Sequence, residues 1–231
     1  ADVLRIKDFT WNVNANVSYN KNEITELYNG ITEYVASDTG RMVAVGHPLG
    51  EFYLNRYAGV NPTNGDALWY TKDGEITTEY NESDKVMLGK THEAPWQGGF
   101  GTTLSWQGFS LSAQFTWVAD RWMLNNDRVF QESNGLFSAY NQSKRMLYDR
   151  WKKPGDVTDI PRYGVTPQLD SRFLEDASFL RLKNLMLSYT FPQKWLQRTN
   201  FLSSARIYAQ GQNLLTFTSF TGMDPELSLI H

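Results

Sequence analysis

Residues 9 to 19 read FTWNVNANVSY and alternate without a miss: Phe9, Trp11, Val13, Ala15, Val17 and Tyr19 fall in one phase, and Thr10, Asn12, Asn14, Asn16 and Ser18 in the other. Successive Cβ atoms of a strand point to opposite faces, so this period of two predicts a strand with one apolar and one amide-rich face. A half-buried strand of a soluble sheet shares the period. The placing of aromatics at both ends of the apolar phase is what sets this strand apart.

The pattern recurs. Residues 98 to 118, GGFGTTLSWQGFSLSAQFTWV, read as a hairpin turning at Gln107-Gly108, where glycine supplies the positive φ of a tight turn. Phe109, Leu111, Ala113, Phe115 and Trp117 form one phase of the return strand; Ser110, Ser112, Gln114 and Thr116 form the other. Eight steps of about 3.3 Å, tilted by about 40°, cover roughly 20 Å along a membrane normal, close to the apolar band of an outer-membrane barrel. Phe109 and Trp117 therefore stand where the aromatic girdles of such a barrel stand.

Two further strands are expected at 179–191 and 205–213, beside those at 9–19, 100–106 and 109–118, with one or two more between 51 and 90. In the first, Leu185, Leu187, Tyr189 and Phe191 oppose Ser188 and Thr190, but upstream the phase slips to Leu180 and Leu182, which predicts a bulge or a rim crossing. In the second, Ala205, Ile207 and Ala209 give a weak outer face against Arg206, Tyr208 and Gln210. The connections are unequal. The Gln107-Gly108 turn and the 192–204 link are short, whereas 20–97 and 119–178 are long and rich in Gly, Asn, Asp and Tyr. A bacterial barrel divides its periplasmic turns from its extracellular loops in that way. The expected fold is thus all-β, an antiparallel transmembrane β-barrel segment with long extracellular loops.

Composition excludes other classes. A net charge of −3 argues against nucleic-acid partners, which call for a basic face. The absence of cysteine removes disulfides and thiolate zinc sites. No run of about 18 apolar residues predicts a transmembrane helix, and ADVLRIKDF lacks the apolar core of a signal peptide. Mean hydropathy of −0.49 remains compatible with a barrel, whose strands alternate.

The long segments offer little chemistry. Tyr140, Lys144, Leu147 and Trp151 have helix-like spacing before Pro154-Gly155 and predict a loop helix with an apolar stripe. WYTKDGEITTEYNESD puts Gly74 after Asp73, but Trp69 and Thr71 hold the earlier ligand positions of a calcium loop, so no metal is expected. His47, His92 and His231 sit in no nucleophile elbow or zinc helix, and Glu175-Asp176 read as solvated loop charges rather than a glycosidase pair. Neither an enzyme nor a cofactor is implied.

Several stretches carry a resemblance. VGHPLGEFYLNRYAGVNPTNGDALWY (45–70), APWQGGFGTTLSWQGFSLSAQFTW (94–117), DRWKKPGDVTDIPR (149–162), SRFLEDASFLRLKNLMLSYTFP (171–192) and above all GQNLLTFTSFTGMDPE (211–226) resemble the C-terminal part of the SusC/RagA family of TonB-linked outer-membrane transporters. The resemblance covers nearly the whole chain and implies that residues 1–231 are the C-terminal part of a 22-stranded barrel, lacking the plug domain, most of the wall and the final strand. It implies import of oligosaccharides or oligopeptides across a bacterial outer membrane. The partners it implies are a SusD-like surface lipoprotein, TonB through the N-terminal part, the remaining barrel and plug segments, cargo and lipid. Asn12, Asn14, Asn16, Ser112 and Gln114 are then expected to face the lumen, and Trp122, Tyr140, Trp151 and Arg172 to touch substrate or lid.

Two rivals are weighed against that reading. A secreted carbohydrate-binding β-sandwich would use exposed tryptophans to stack on sugars. A barrel enzyme would need a histidine within the wall strands, and these have none. Five strands fall short of the eight at which single-chain barrels close, so the wall is expected to be incomplete.

Overall fold

A computed structural model describes residues 1–36, 40–137, 139–197 and 201–227. The chain divides into two compact units: residues 1–20, 94–120 and 178–219 form the first, and the intervening segments with 220–231 the second.

The first unit is one antiparallel sheet of six strands, ordered in space as in sequence: β1 (Asp2–Ile6), β2 (Phe9–Tyr19), β3 (Trp96–Trp106), β4 (Phe109–Ala119), β5 (Phe179–Thr190) and β6 (Arg206–Thr218). All five expected strands are present, and β1 adds an edge that sequence reading passed over. Its chain reverses at Lys7-Asp8, with Lys7 at φ 47°. Gln107 and Gly108 both have positive φ, 47° and 91°, as a two-residue hairpin turn of matching twist requires. The sheet is open, with β1 and β6 at its edges.

Register fixes the faces. Val13, Thr102, Ala113 and Leu185 lie side by side on four strands, as do Trp11, Leu104, Leu111 and Leu187. The row at the tight-turn end is Phe9, Trp106, Phe109, Tyr189 and Ile207, and at the other end the Tyr19 ring lies tilted against Trp96, with centroids 4.5 Å apart. Aromatics thus border an apolar face at both ends.

The phase slip upstream of Asn184 is a bulge. Gln114 pairs with Asn184 but Phe115 with Leu182, leaving Lys183 as the extra residue. The neighbouring strand answers it: Asn184 pairs with Gln212 but Leu182 with Leu215, with Asn213 at φ 51°. A one-residue slip exchanges the faces of everything beyond it. Here the slip returns Leu180, Leu182, Leu215 and Phe217 to the face of Leu185 and Leu187. The outer face of β6 is therefore stronger than its first half suggests.

Trp106, Phe109, Leu187 and Leu215 are each more than half exposed, at 55%, 51%, 53% and 54%. A sandwich would bury this face against a second sheet, so the sandwich reading does not describe the molecule. Among the described residues no helix is long and apolar enough to cross a membrane, which does not bear on strands.

The second unit corrects the picture of two polar loops. Segments from 21–93 and 121–177 share one core of Phe52, Leu54, Leu124, Phe173 and Leu174, all at most 8% exposed. Around it lie a four-stranded sheet (Glu33–Ala36, Arg41–Ala44, Glu51–Leu54, Val86–Thr91) and a three-stranded one (Arg56–Val60, Ala67–Tyr70, Ile76–Thr77). Trp122–Leu124 pairs with Leu174–Asp176. The expected loop helix shrinks to Lys144–Tyr148, and its buried side chain is Met146, whereas Leu147 and Tyr140 are 63% and 58% exposed.

Candidate functional site

The polar face of the sheet collects the sequence-predicted lumen residues. Asn14, Gly101, Gln114, Asn184 and Gln212 occupy one row across five strands. Asn16, Gly99, Thr116, Arg181 and Thr216 form the row on one side of it, and Asn12, Thr103, Ser112, Met186 and Gln210 the row on the other. All five predicted residues share a face and fall on three adjacent rows. Asn184, Gln210 and Gln212 join them, Gln210 on the inner phase that the sequence pattern of its strand already sets.

Glycine makes the central row possible. A Cβ on Gly101 would lie 2.4 Å from Asn14 Oδ1 and 2.4 Å from both polar atoms of Gln114, so the two carboxamides converge over bare backbone. Below them, cross-strand hydroxyls pair: Thr103 Oγ1 donates to Ser112 Oγ at 3.2 Å and Ser105 Oγ to Ser110 Oγ at 3.3 Å. The surface is neutral but for a few cations, offers donors and acceptors alike, and contains no nucleophile held by a base. It can bind water or a polar solute. The division is imperfect at its far end, where Val118 and Phe179 follow Gln97 and Ser18 on this face.

The four predicted loop residues all lie in the second unit, but the structure does not assemble them into a site. Trp122 sits beneath Lys90, whose Nζ is 3.1 Å from the ring centroid, and packs on the core. Trp151 lies over Gly65, with Nε1 donating to Pro62 O at 3.2 Å. The Arg172 guanidinium lies over Phe173 at 4.3 Å and Tyr57 at 5.5 Å. Only Tyr140 presents most of its surface, resting one ring edge near Phe130 at 5.6 Å. Three of the four thus knit the unit together.

Charge in this unit is concentrated in a network that sequence reading missed, since its members lie far apart in the chain. Glu132, 1% exposed, accepts from Arg128 at 3.1 Å and from Arg145 at 2.7 Å. Arg128 also reaches Glu175 at 2.6 Å, and Arg145 reaches Asp159 at 2.7 Å. Burial opposes ionisation of Glu175, but hydrogen bonds from Arg128 and Thr221 outweigh it and hold its carboxyl below the usual range. Burial and the Arg145 pair act on Asp159 with the same outcome.

The most distinctive stretch of the sequence, 211–226, acquires a structural meaning. Its first half is β6; its second half docks into the second unit. Phe220 is buried with Met123 and Ala177, the Thr221 amide donates to Glu175 at 2.8 Å, and Pro225 O accepts from Arg121 at 2.8 Å.

Known proteins agree. No family model matches the chain. TonB-dependent receptor P3 of Formosa agariphila is 29% identical over 243 residues, 95% of this chain and 23% of that protein. TonB-dependent receptor SusC of Bacteroides thetaiotaomicron is 26% identical over 245 residues, 96% of this chain and 22% of that protein. The solved RagAB peptide transporter superposes on 97% of this chain with a TM-score of 0.91 and 37% identity. Over nearly its whole length the chain is similar to SusC and to the RagAB transporter. It spans about a quarter of the curated relatives it matches, between 22% and 26% of their length, and 25% of the solved transporter chain. Those SusC/RagA relatives are receptors and a transporter, not enzymes.

Proposed function

We propose that this chain supplies barrel wall and extracellular loops to a TonB-dependent importer of the bacterial outer membrane. The observation that carries this is the sorting of the six-stranded sheet into two faces: one apolar and aromatic at both ends, the other built of carboxamides and hydroxyls. In this reading the apolar face meets lipid, where Trp and Tyr belong at the two interfaces, and Asn12, Asn14, Asn16, Ser112 and Gln114 line a wet lumen. In this reading the complete barrel has 22 strands and a plug. A SusD-like lipoprotein would cap it and TonB would drive it. The cargo is an oligopeptide or oligosaccharide; the likeness to the RagAB peptide transporter over 97% of this chain supports the first.

Topology provides the test. Tyr19, Trp96, Ala119, Phe179 and Thr218 all lie at one end of the sheet, so every long insert leaves from that end, opposite the Gln107-Gly108 turn. Cysteines placed singly at Asn64 and Gln107 of the full-length protein, with an impermeant maleimide, should label in intact cells at Asn64 only. Labelling at Gln107 in intact cells, with Asn64 reacting only after permeabilisation, would mean the opposite orientation; labelling at both would mean that the sheet does not span.

A further inference from the structure

The aromatic row at the tight-turn end does not stop where the sheet stops. Phe109 meets Tyr189 at 4.5 Å, Tyr189 meets Phe191 at 5.2 Å, and Phe191 meets Trp195 at 6.4 Å. The first two belong to the apolar face; Phe191 lies just past β5, and Trp195 in the short helix Gln193–Leu196. Pro192 makes the corner. It cannot extend the ladder, its φ of −59° suits the helix start, and its carbonyl accepts from Trp195 N at 3.0 Å.

This short helix is two-sided. Gln193, Lys194 and Gln197 line a polar recess together with Asp8, Gln107 and Gly108 from the two tight turns. Leu196 is buried at 8% exposure, while Trp195, continuing the apolar row, is 60% exposed. An exposed indole that continues an apolar row through Phe191, on a helix whose Gln193 and Lys194 line a polar recess, matches the headgroup level of a bilayer, where one part of the ring is dry and its N–H wet.

We propose that Phe191 and Trp195 form a lipid anchor, holding the helix Gln193–Leu196 at the headgroup–acyl boundary of a phospholipid leaflet. Lys194 and Gln193 stand on its phosphate and water side. The proposal rests on the wall reading above and extends that wall's lipid contact from the strands onto a connection. Phospholipid, rather than a soluble partner, is the occupant because the surface is continuous with the apolar face and because a cation adjoins the exposed indole.

The test uses the full-length protein in phosphatidylcholine nanodiscs, with one environment-sensitive fluorophore on Trp195→Cys, Gln193→Cys or Ala113→Cys. Nitroxide quenchers are carried on the headgroup, near the chain carbonyls, or near the chain end. The Trp195 probe should be quenched several-fold more by the two shallow nitroxides than by the deep one, the Ala113 probe in the reverse order, and the Gln193 probe chiefly by aqueous iodide. If the Ala113 probe keeps its deep quenching while the Trp195 probe answers only to iodide, the anchor is overturned and the wall stands. Equal shallow quenching at Gln193 and Trp195 would also overturn it, because the helix would then have no lipid side. Absence of lipid quenching at all three positions removes the wall reading, and the anchor with it.

Discussion

The indole Nε1 of Trp11 donates to Thr102 Oγ1 at 2.9 Å, joining β2 to β3 on the apolar face across 91 residues of sequence. Thr102 sits in a row with Val13, Ala113 and Leu185, where a hydroxyl has no other evident purpose. On a face proposed to meet lipid a polar group needs a partner, and these two satisfy each other.

Breaking that bond from one side should cost more than removing both groups. Thr102→Val strands the indole N–H, at about 1–3 kcal/mol. Trp11→Phe with Thr102→Val should recover most of that loss, beyond what area changes alone explain. Unfolding free energies of the full-length protein in detergent, arranged as a double-mutant cycle, measure the coupling; additive losses would show that the bond contributes nothing.

Ala113 and Gln114 are neighbours on β4 that point to opposite faces. Ala113→Arg should cost about 2–4 kcal/mol by placing a charge in hydrocarbon. Gln114→Arg should cost far less and should change uptake of charged cargo. The readouts are the unfolding midpoint in lipid and the amount assembled in the membrane. A large loss at Gln114 alone would reverse the two faces.

Two glycines of β3 make contrasting demands. A Cβ on Gly98 would lie 2.4 Å from the Asn16 carbonyl oxygen and 2.9 Å from the Trp117 ring, so Gly98→Ala must move backbone. Its expected cost is about 1–3 kcal/mol. The atoms nearest a Cβ on Gly101 belong to the movable carboxamides of Asn14 and Gln114, and Gly101→Ala should lose less than about 1 kcal/mol. Thermal unfolding midpoints of the two variants should rank in that order.

In the second unit, Glu132→Ala should be the most damaging change of its charged network, since it leaves Arg128 and Arg145 facing each other without their shared, buried carboxylate. About 3–5 kcal/mol is expected. Acid should act on the same network. Glu175 and Asp159 have lowered values in the folded state, so the stability they contribute is present above the ordinary carboxylate range of about 4 and is lost as pH falls through their folded values. Protection factors of amides in peptides carrying Arg128 and Arg145, corrected for the intrinsic pH dependence of exchange, should be unchanged from neutral pH to about 5 and fall below about 4. Protection that weakens at pH 6 would point to a different group.

What sequence revealed was local. The alternation of FTWNVNANVSY gave β2 to the residue, and Gln107-Gly108 gave the hairpin, because period and turn chemistry are written in adjacent residues. The resemblance supplied the family, which periodicity alone could not. The paired bulge at Lys183 and Asn213 was half visible, as a phase slip in one strand, but its partner in β6 depends on register. In sequence the second unit looks like two polar loops, since Phe52, Leu124 and Phe173 meet only after distant segments come together. The choice of Met146 over Leu147 as the buried face of its helix followed from the same nonlocal packing.

The Gln107-Gly108 turn has a kinetic consequence. β3 and β4 can zip together from two adjacent residues, whereas β2 reaches β3, and β5 reaches β4, only after chain excursions into the second unit have been closed. Closing long excursions costs entropy before any ladder bond rewards it, so the hairpin should be the first stretch of wall to form and the template on which both neighbours dock. Assembly of this sheet then grows outward from its centre rather than from either edge.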